Sequence, residues 1–364
     1  MPSQSRHTRV FLQSQINLAR LPLYRTFHEY PHPENSRDLV ELLHSRFGTN
    51  GDEIPLEMCP CNNRKATVRR FLVARKYVIS DAEKMLRDTI EWRANVTISG
   101  MKGIELILKS KPRWDLISAN RRIIPATPFH CYTRQGYPVY ALCLGKGDSA
   151  LAISVQEECH IYCSIIRGEH LVRKILPDAQ LHRQDTDVDL HLDDPTGDSG
   201  IPQSLPRDPV TGVEDSVDIF DKQVVIVDLE DIGMSALRCL YVFKVINSVA
   251  SLNYPELSKA IYVLNAPSIF DYLWSVVKPL LAPHTQNKIC IYQSGSKQYE
   301  ALKDILFEDD IPDHLIPQDY VRKVQSKPGC VTESDFPGYR PKGAKDMDLW
   351  IESMSQDLSK ECPF

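Results

Sequence analysis

Apolar positions between residues 224 and 292 form short continuous runs separated by stretches with helical spacing. Three runs rich in β-branched residues have the length of strands: Val224–Leu229, Ala260–Leu264 and Ile289–Tyr292. Continuous apolar character is typical of strands that are buried on both faces. Helical spacing runs from Leu237 to Ser248, and Ser268 with Asp271 forms a capping-box pattern that opens a second helix. This order predicts a parallel α/β sheet with helical crossovers.

The second of these helices is apolar on nearly every side. Between Ile269 and Val277 the clearly polar residues are Asp271 and Ser275, whereas a surface helix normally has a whole polar face. A fully buried helix explains the pattern. A helix whose two faces meet an apolar ligand and a membrane explains it as well, because its large side chains cannot all face one narrow pocket.

Composition limits the function classes. Of the 364 residues, 42% are hydrophobic and 25% are charged, which suits a sizeable core. A net charge of −5 is no signature of nucleic-acid binding. The apolar runs are too short for a transmembrane helix. Ten cysteines in so long a chain are not a small-domain disulfide framework, so we expect a reducing compartment.

The N-terminal part divides into a tail and a helical module. Residues 1–28 lack acidic side chains and hold four arginines, which suits a mitochondrial presequence. Two prolines favour a plain flexible tail over residues 1–35 instead. Helical patterns then follow one another over residues 36–98, and we expect a small helical module there. The larger domain is expected over residues 120–320. It includes a strand at Tyr137–Leu144 and a helix that Ser154 and Glu157 cap and Pro177 ends.

Residues 178–221 have an unusual composition. Asp178–Asp221 contains eleven Asp and one Glu but only one aromatic residue, Phe220. Such a segment cannot bury enough apolar surface to offset the entropy of ordering, and it is predicted to be a disordered acidic insertion. The alternating acids of Asp185–Asp189 suggest a calcium loop, but the required glycine and glutamate are missing. Residues 321–364 are expected to form a C-terminal extension.

No catalytic or metal-binding pattern is complete. Gly145–Ser149 resembles a phosphate loop, but its glycine and hydroxyl positions do not fit a Walker motif. Cys59 with Cys61, and Cys159 with Cys163, lack further ligands at zinc spacing. We therefore expect no enzyme, no metal and no catalytic residue.

Motifs spread over about residues 65–310 resemble, in order and spacing, the CRAL-TRIO family of lipid-transfer proteins. They are Arg70–Tyr77, Ala82–Leu86, Glu91–Arg93, Gly136–Tyr140, Val227–Leu229, Tyr254–Glu256, Leu264–Pro267 and Lys278–Leu281, followed by Thr285 and Lys288. The resemblance implies an α/β fold whose hydrophobic pocket is floored by a mostly parallel sheet and preceded by a small helical module. It implies a single bound phospholipid, no other cofactor, and exchange of lipid between membranes without covalent chemistry.

The resemblance also assigns roles to residues. Positions that contact the phosphatidylinositol headgroup correspond to Arg75, Lys76, Glu256, Thr285 and Lys288. The alternative is a solvated helix end at Arg75 and Lys76 and a structural ion pair between Glu256 and Lys288. The apolar helix corresponds to the family's gate, and the expected pocket and gate residues are Tyr140, Phe270, Leu273, Trp274, Val277, Leu280 and Leu281.

Other positions depart from the family pattern. Gln223 and Val225 stand where hydroxyl residues contact phosphatidylcholine, and Phe129 stands in place of a tyrosine. This predicts phosphatidylinositol together with a second lipid other than phosphatidylcholine. Lys259 replaces a glycine, and a glycine pair is absent around residues 316–322, so gate opening is expected to differ.

The leading hypothesis is a monomeric phosphatidylinositol transfer or presentation protein of the cytoplasm. It would contact endomembranes such as the endoplasmic reticulum and Golgi transiently, bind no nucleic acid, and have a phosphoinositide kinase as a candidate partner. One alternative keeps the fold and changes the ligand to a sterol, squalene or tocopherol. Another is a lipid-regulated scaffold or enzyme that uses the acidic insertion to bind a partner.

Overall fold

A five-stranded sheet lies at the centre of the molecule. The computed structural model describes residues 33–185, 221–268, 270–317 and 342–356. Its strands are β1 (Thr97–Ile98), β2 (Met101–Lys102), β3 (Ala126–Thr127), β4 (Val139–Cys143), β5 (Gln223–Asp228), β6 (Ser258–Leu264) and β7 (Ile289–Ile291). Strands β1 and β2 form a small hairpin, and the central sheet has the order β3-β4-β5-β6-β7.

Strands β4 to β7 are all parallel, and β3 pairs antiparallel with β4 at the edge. In the register, Val139 lies opposite Val224, and Ile261 lies opposite both Val225 and Ile289. Parallel neighbours require long crossover connections, which the intervening helices supply. The predicted parallel sheet is confirmed.

The helices are α1 (Ser36–His44), α2 (Arg64–Ala74), α3 (Ile79–Asn95), α4 (Ile104–Lys109), α5 (Trp114–Ile123), α6 (Ser149–Ser154), α7 (Glu157–His170), α8 (Leu176–Asp185), α9 (Leu240–Asn253), α10 (Phe270–Val277), α11 (Pro283–Gln286), α12 (Ser296–Ile305) and α13 (Lys342–Gln356). A π-helical turn, Leu171–Ile175, joins α7 to α8. A 3₁₀ segment, Met234–Cys239, leads into α9.

Alternating residues of the strands serve two different surfaces. Val139, Ala141 and Cys143 of β4 belong to a core that includes Leu302 of α12. Tyr140 and the other intervening residues point to the opposite face, which floors a cavity. Successive side chains of a strand point to opposite faces. Because both faces of this sheet are covered or enclosed, the strands are apolar at nearly every position.

The N-terminal helices pack around a hydrophobic cluster of their own, which contains Phe47, Phe71 and Leu86. The Oδ1 of Asn63 accepts a 2.8 Å hydrogen bond from the backbone N–H of Ala66 and so caps α2. Helix α3 joins this part to the rest of the chain, because Thr89 donates to the backbone oxygen of Leu252 in α9 at 3.0 Å.

Pro177 does not end the helix that contains it, contrary to the sequence prediction. The π-helical turn ends at Ile175, and Pro177 lies in the first turn of α8. Leu176, between the π-helical turn and Pro177, keeps right-handed helical backbone angles. The helical path therefore continues past the proline.

The prediction that residues 178–221 form a disordered insertion is wrong at both ends of this range. Residues 178–185 belong to α8, where Ala179 is fully buried. At the other end, Asp221 is 2% exposed and lies 3.5 Å from Arg69 and 3.8 Å from Arg70. These arginines offset the cost of burying the carboxylate, which composition alone does not reveal. Residues 186–220 lie outside the described residues.

Helix α13 was not predicted from the sequence, which indicated only an extension after residue 320. Met347, Trp350 and Ile351 enter a hydrophobic cluster with residues of α4, α5 and α7. Arg121 of α5 forms an ion pair with Asp348 of α13. The helix is thus part of the folded domain.

Among the described residues, one helical stretch, Met234–Asn253, has the length and apolar composition of a membrane-spanning helix. No such stretch was expected from the sequence. Its apolar character has a local explanation in the fold, because Leu237, Leu240 and Phe243 line the cavity and α9 packs on α7.

Candidate functional site

A cavity of about 690 Å³ lies over the inner face of the sheet. Its floor is formed by β4, β5 and β6, one wall by α7, and the remaining walls by α9 and α10. The lining is mainly apolar, and the volume lies within the range of small-molecule sites. The sheet and helices therefore enclose space for an apolar ligand.

Helix α10 contributes one apolar face to this cavity. Phe270, Leu273, Trp274 and Val277 follow the spacing i, i+3, i+4, i+7 and all line it. The rings of Phe270 and Trp274 stack with their centroids 5.9 Å apart. The outer face carries exposed polar residues and Tyr272, which is 58% exposed. Val276 is not among the lining residues, so the large side chains of α10 do not all face the cavity, as expected from the sequence.

Of the other predicted pocket residues, Tyr140 and Leu281 line the cavity and Leu280 does not. Leu280 ends the 3₁₀ turn Lys278–Leu280, and its backbone oxygen accepts a 3.0 Å hydrogen bond from Nδ2 of Asn247. Gln223 and Val225 also line the cavity, whereas Phe129 packs in a neighbouring cluster with Leu171 and Leu257.

A polar cluster forms part of the wall where β6 and β7 begin. Glu256, His284, Thr285 and Lys288 all line the cavity there. Lys288 donates a hydrogen bond from Nζ to Oε2 of Glu256, and Nε2 of His284 lies 2.8 Å from Oε1. The backbone N–H of Lys288 donates to the backbone oxygen of Thr285 at 3.0 Å. The short α11 and the loop after it thus bring these side chains to Glu256.

Glu256 is held in place as a buried carboxylate. Its side chain is 3% exposed, and its backbone lies in the left-handed region with φ of 59°, which is uncommon for a residue other than glycine. Burial alone would raise its pKa, but His284 and Lys288 lower the pKa to about 2. The group is therefore a hydrogen-bond acceptor throughout the neutral pH range.

The two remaining headgroup candidates separate in the structure. Arg75 is half-buried and lines the cavity just past the end of α2. Lys76, the next residue, is exposed, has a φ of 53°, and is not among the lining residues. Arg75 therefore lies at the cavity, where headgroup contact is possible. Lys76 lies in solvent, as the interpretation of a solvated helix end predicts.

The structure adds polar lining residues that the sequence analysis did not single out. His284 immediately precedes Thr285, so its position in the motif segment was an available signal. Arg167 and His170 lie on α7 and also line the cavity. Their spacing of i, i+3 on a helix with many apolar residues could have indicated them.

A buried network positions the segment that carries Glu256. Glu169 of α7 is fully buried and accepts hydrogen bonds from Arg93 at 2.6 and 3.0 Å, from Arg173 at 2.7 Å, and from the hydroxyl of Tyr254 at 2.7 Å. Burial would raise the pKa of Glu169, but Arg93 and the other donors lower it. A Cβ on Gly168 would lie 2.6 Å from the ring of Tyr254, so glycine permits this close approach. The network ties α3 and α7 to the backbone two residues before Glu256.

The sequence of this region matches a known family model. Residues 218–320, which carry β5, β6, α10 and the polar cluster, match the model described as the CRAL/TRIO domain. The match covers less than a third of the chain and marks this region as similar to the CRAL/TRIO domain. The α/β fold with a cavity floored by a mostly parallel sheet agrees with what the sequence resemblance implied.

The curated relatives that this chain matches are distant in sequence. "Protein real-time" of Drosophila melanogaster is 26% identical over 258 residues, which cover 68% of this chain and 32% of the relative. "SEC14 cytosolic factor" of Yarrowia lipolytica is 24% identical, with 76% of this chain and 47% of the relative covered. "Phosphatidylinositol/phosphatidylcholine transfer protein SFH4" of Arabidopsis thaliana is 25% identical, with 67% and 34% covered.

The matches span about a third to a half of the length of these relatives. Among solved structures, one titled "Crystal structure of Sfh5" aligns with a TM-score of 0.43 and 13% identity, covering 82% of this chain and 85% of that one.

Proposed function

We propose that this chain binds one phospholipid in the cavity, with phosphatidylinositol preferred, and exchanges it between membranes. The observation that carries the proposal is the combination of an apolar cavity of about 690 Å³ with the cluster of Lys288, Glu256 and Thr285 in its wall. A lipid offers the same combination of long apolar chains and a polar headgroup. The similarity to a relative named as a phosphatidylinositol/phosphatidylcholine transfer protein supports it.

The apolar lining keeps the acyl chains of a lipid out of water when the lipid leaves a bilayer. Burying acyl chains is worth about 0.8 kcal/mol per CH₂. The inner faces of β5 and α10, with residues such as Val225, Val227, Leu273 and Val277, present aliphatic surface to those chains. A lipid can leave a bilayer for this cavity because its chains exchange one apolar environment for another.

The polar cluster offers groups that complement a phosphoinositol headgroup. A phosphate favours cationic donors and a hydroxyl donor, which Arg75, Lys288 and Thr285 provide. The hydroxyls of inositol need acceptors, and the carboxylate of Glu256 is one. Without lipid, Lys288 and Glu256 neutralise each other. On this proposal their ion pair is the resting state of a binding site.

On the same proposal, the chain acts without covalent chemistry and without a cofactor other than the lipid. A site of action in the cytoplasm, with reversible contact to endomembranes, agrees with the name of the Yarrowia lipolytica relative as a cytosolic factor. Helix α10 would open to admit the lipid, with its outer face and Tyr272 toward the bilayer.

The test is lipid transfer between vesicles by the full chain. We expect phosphatidylinositol to be transferred at least about tenfold faster than phosphatidylcholine. A tenfold ratio corresponds to a free-energy difference of about 1.4 kcal/mol. The reason is that Gln223 and Val225 line the cavity where hydroxyl groups would hold phosphocholine. Equal rates would show that these positions do not set the choice. Absence of phosphatidylinositol transfer, with a sterol or another hydrophobe bound instead, would refute the proposed ligand.

Trp274 reports whether the lipid chains reach the inner face of α10. In a variant that keeps Trp274 as its only tryptophan, we expect emission to be quenched by bound phospholipid with brominated acyl chains. The quenching should persist after the vesicles are removed, because Trp274 lines the cavity. The matched variant carries Tyr272→Trp and Trp274→Phe. Its emission should be quenched only while vesicles are present, since position 272 faces outward. Unquenched Trp274 in lipid-loaded protein would place the chains elsewhere.

A further inference from the structure

The cavity has a second group of polar lining residues, on α7, which the proposed phosphatidylinositol site does not use. Arg167 and His170 are one helical turn apart and both line the cavity, as does Ser164. The hydroxyl of Ser164 already donates to the backbone oxygen of His160 at 2.6 Å. The two side chains with unused hydrogen-bonding capacity are therefore Arg167 and His170.

Among the described residues, the guanidinium of Arg167 has no anionic partner. Within the same residues, its Nη1 donates a hydrogen bond to Oδ1 of Asn120 at 3.3 Å, and its buried Nη2 has no partner. In the part of the chain that the structure describes, no carboxylate lies within ion-pair distance of it. Arginine has five N–H donors, and burying a cation without a counter-charge costs free energy. Lys288, by contrast, is neutralised by Glu256.

His170 adds an unused nitrogen on the same face of the helix. The residue is 1% exposed, its ring lies 5.1 Å from that of Trp350, and its Nε2 has no hydrogen-bond partner in the part of the chain that the structure describes. Burial, with a smaller contribution from Lys174, lowers the pKa of His170 to about 3. The imidazole is therefore neutral at physiological pH and can donate one hydrogen bond.

We infer that Arg167 and His170 form a second polar subsite of the cavity, which binds the anionic oxygens of a second lipid through a phosphate or a carboxylate group. The inference rests on the proposed function, because it names the chemical class of a second ligand that occupies the same cavity in place of phosphatidylinositol. A lipid whose acyl chains fill the apolar part would supply the counter-charge that Arg167 lacks. Phosphatidylcholine also carries a phosphate, but its quaternary ammonium group would add a second positive charge beside Arg167.

The experiment offers the full chain a choice of lipids. Vesicles of phosphatidylcholine carry equal amounts of phosphatidylinositol, phosphatidic acid and oleic acid, and the lipids retained by the re-isolated protein are quantified by mass spectrometry. We expect the wild type to retain phosphatidylinositol together with phosphatidic acid or oleic acid. Which of the two is retained identifies the group as a phosphate or a carboxylate.

Variants then test the role of Arg167. Arg167→Gln should lower retention of the second anionic lipid at least about tenfold and leave phosphatidylinositol bound, and Arg167→Lys should restore part of the loss. The control is Arg122→Gln, which removes the same charge from an exposed arginine paired with Asp148. Thermal unfolding of each variant verifies the fold.

Three outcomes overturn the inference. In the first, the wild type retains no anionic lipid besides phosphatidylinositol, which is seen without any variant. In the second, Arg167→Gln retains the same lipids as the wild type. In the third, Arg167→Gln is folded but loses both lipids equally. A wild type that retains phosphatidic acid or oleic acid but no phosphatidylinositol, with loss in Arg167→Gln, would refute the proposed function and support the second subsite.

Discussion

The double variant Glu256→Gln, Lys288→Met is expected to fold normally and to transfer phosphatidylinositol about 10- to 100-fold more slowly, since hydrogen bonds to charged groups contribute about 1.5–3 kcal/mol each. The variant removes a donor to the phosphate and a charged acceptor for the inositol hydroxyls. Vesicle transfer of labelled phosphatidylinositol measures the effect. Undiminished transfer by the folded variant would contradict the assignment of the headgroup to this cluster.

The double substitution is preferable to either single one because of how the pair is buried. Removing Lys288 alone would leave the carboxylate of Glu256, which is 3% exposed, beside His284 only. Breaking a buried ion pair on one side typically costs about 3–5 kcal/mol, whereas replacing both partners by neutral residues of similar volume is often neutral. The matched control is Glu41→Gln, Lys65→Met, which makes the same changes in an ion pair of 2.8 Å in the helical module.

Arg93→Met is expected to lower the free energy of unfolding by about 3 kcal/mol, the lower end of the range for breaking a buried ion pair. Arg93 makes two hydrogen bonds to Glu169, which is fully buried. The lower end applies because Arg173 and Tyr254 still contact that carboxylate. Chemical denaturation monitored by circular dichroism measures the loss.

The control for this prediction is Arg122→Met, whose exposed ion pair with Asp148 should contribute about 0–1 kcal/mol. Equal stability of the two variants would show that the Glu169 network does not support the fold. Because Tyr254 belongs to that network and lies two residues before Glu256, we also expect Arg93→Met to retain less phosphatidylinositol than the control.

The parallel strands and the apolar character of α10 could be predicted from local patterns. The strands were recognisable because residues on both faces of the sheet are apolar, one set in the core with α12 and the other in the cavity floor. Likewise Phe270, Leu273 and Trp274 follow helical spacing, and that spacing alone places them on one face. These features depend on residues that are close in sequence.

Other features depend on residues that are far apart in sequence. Asp221 looked like part of an acidic insertion, but Arg69 and Arg70 lie beside it. Helix α13 packs in a hydrophobic cluster with Tyr162 and Ile165 of α7. No local pattern reports such contacts, because composition describes a segment and not its neighbours in space.

The sequence by itself determined a parallel α/β sheet and an apolar helix, and its motifs resemble those of the CRAL/TRIO family. Continuous apolar runs of strand length and stretches of helical spacing carry the structural part of that information, because the direction of each residue follows from its place in a strand or helix. Only the tertiary structure decided which polar residues line the cavity. His284, Arg167 and His170 line the cavity, and Lys76 lies in solvent. The reason is that packing between elements distant in the chain sets the burial and the charge partners of a side chain.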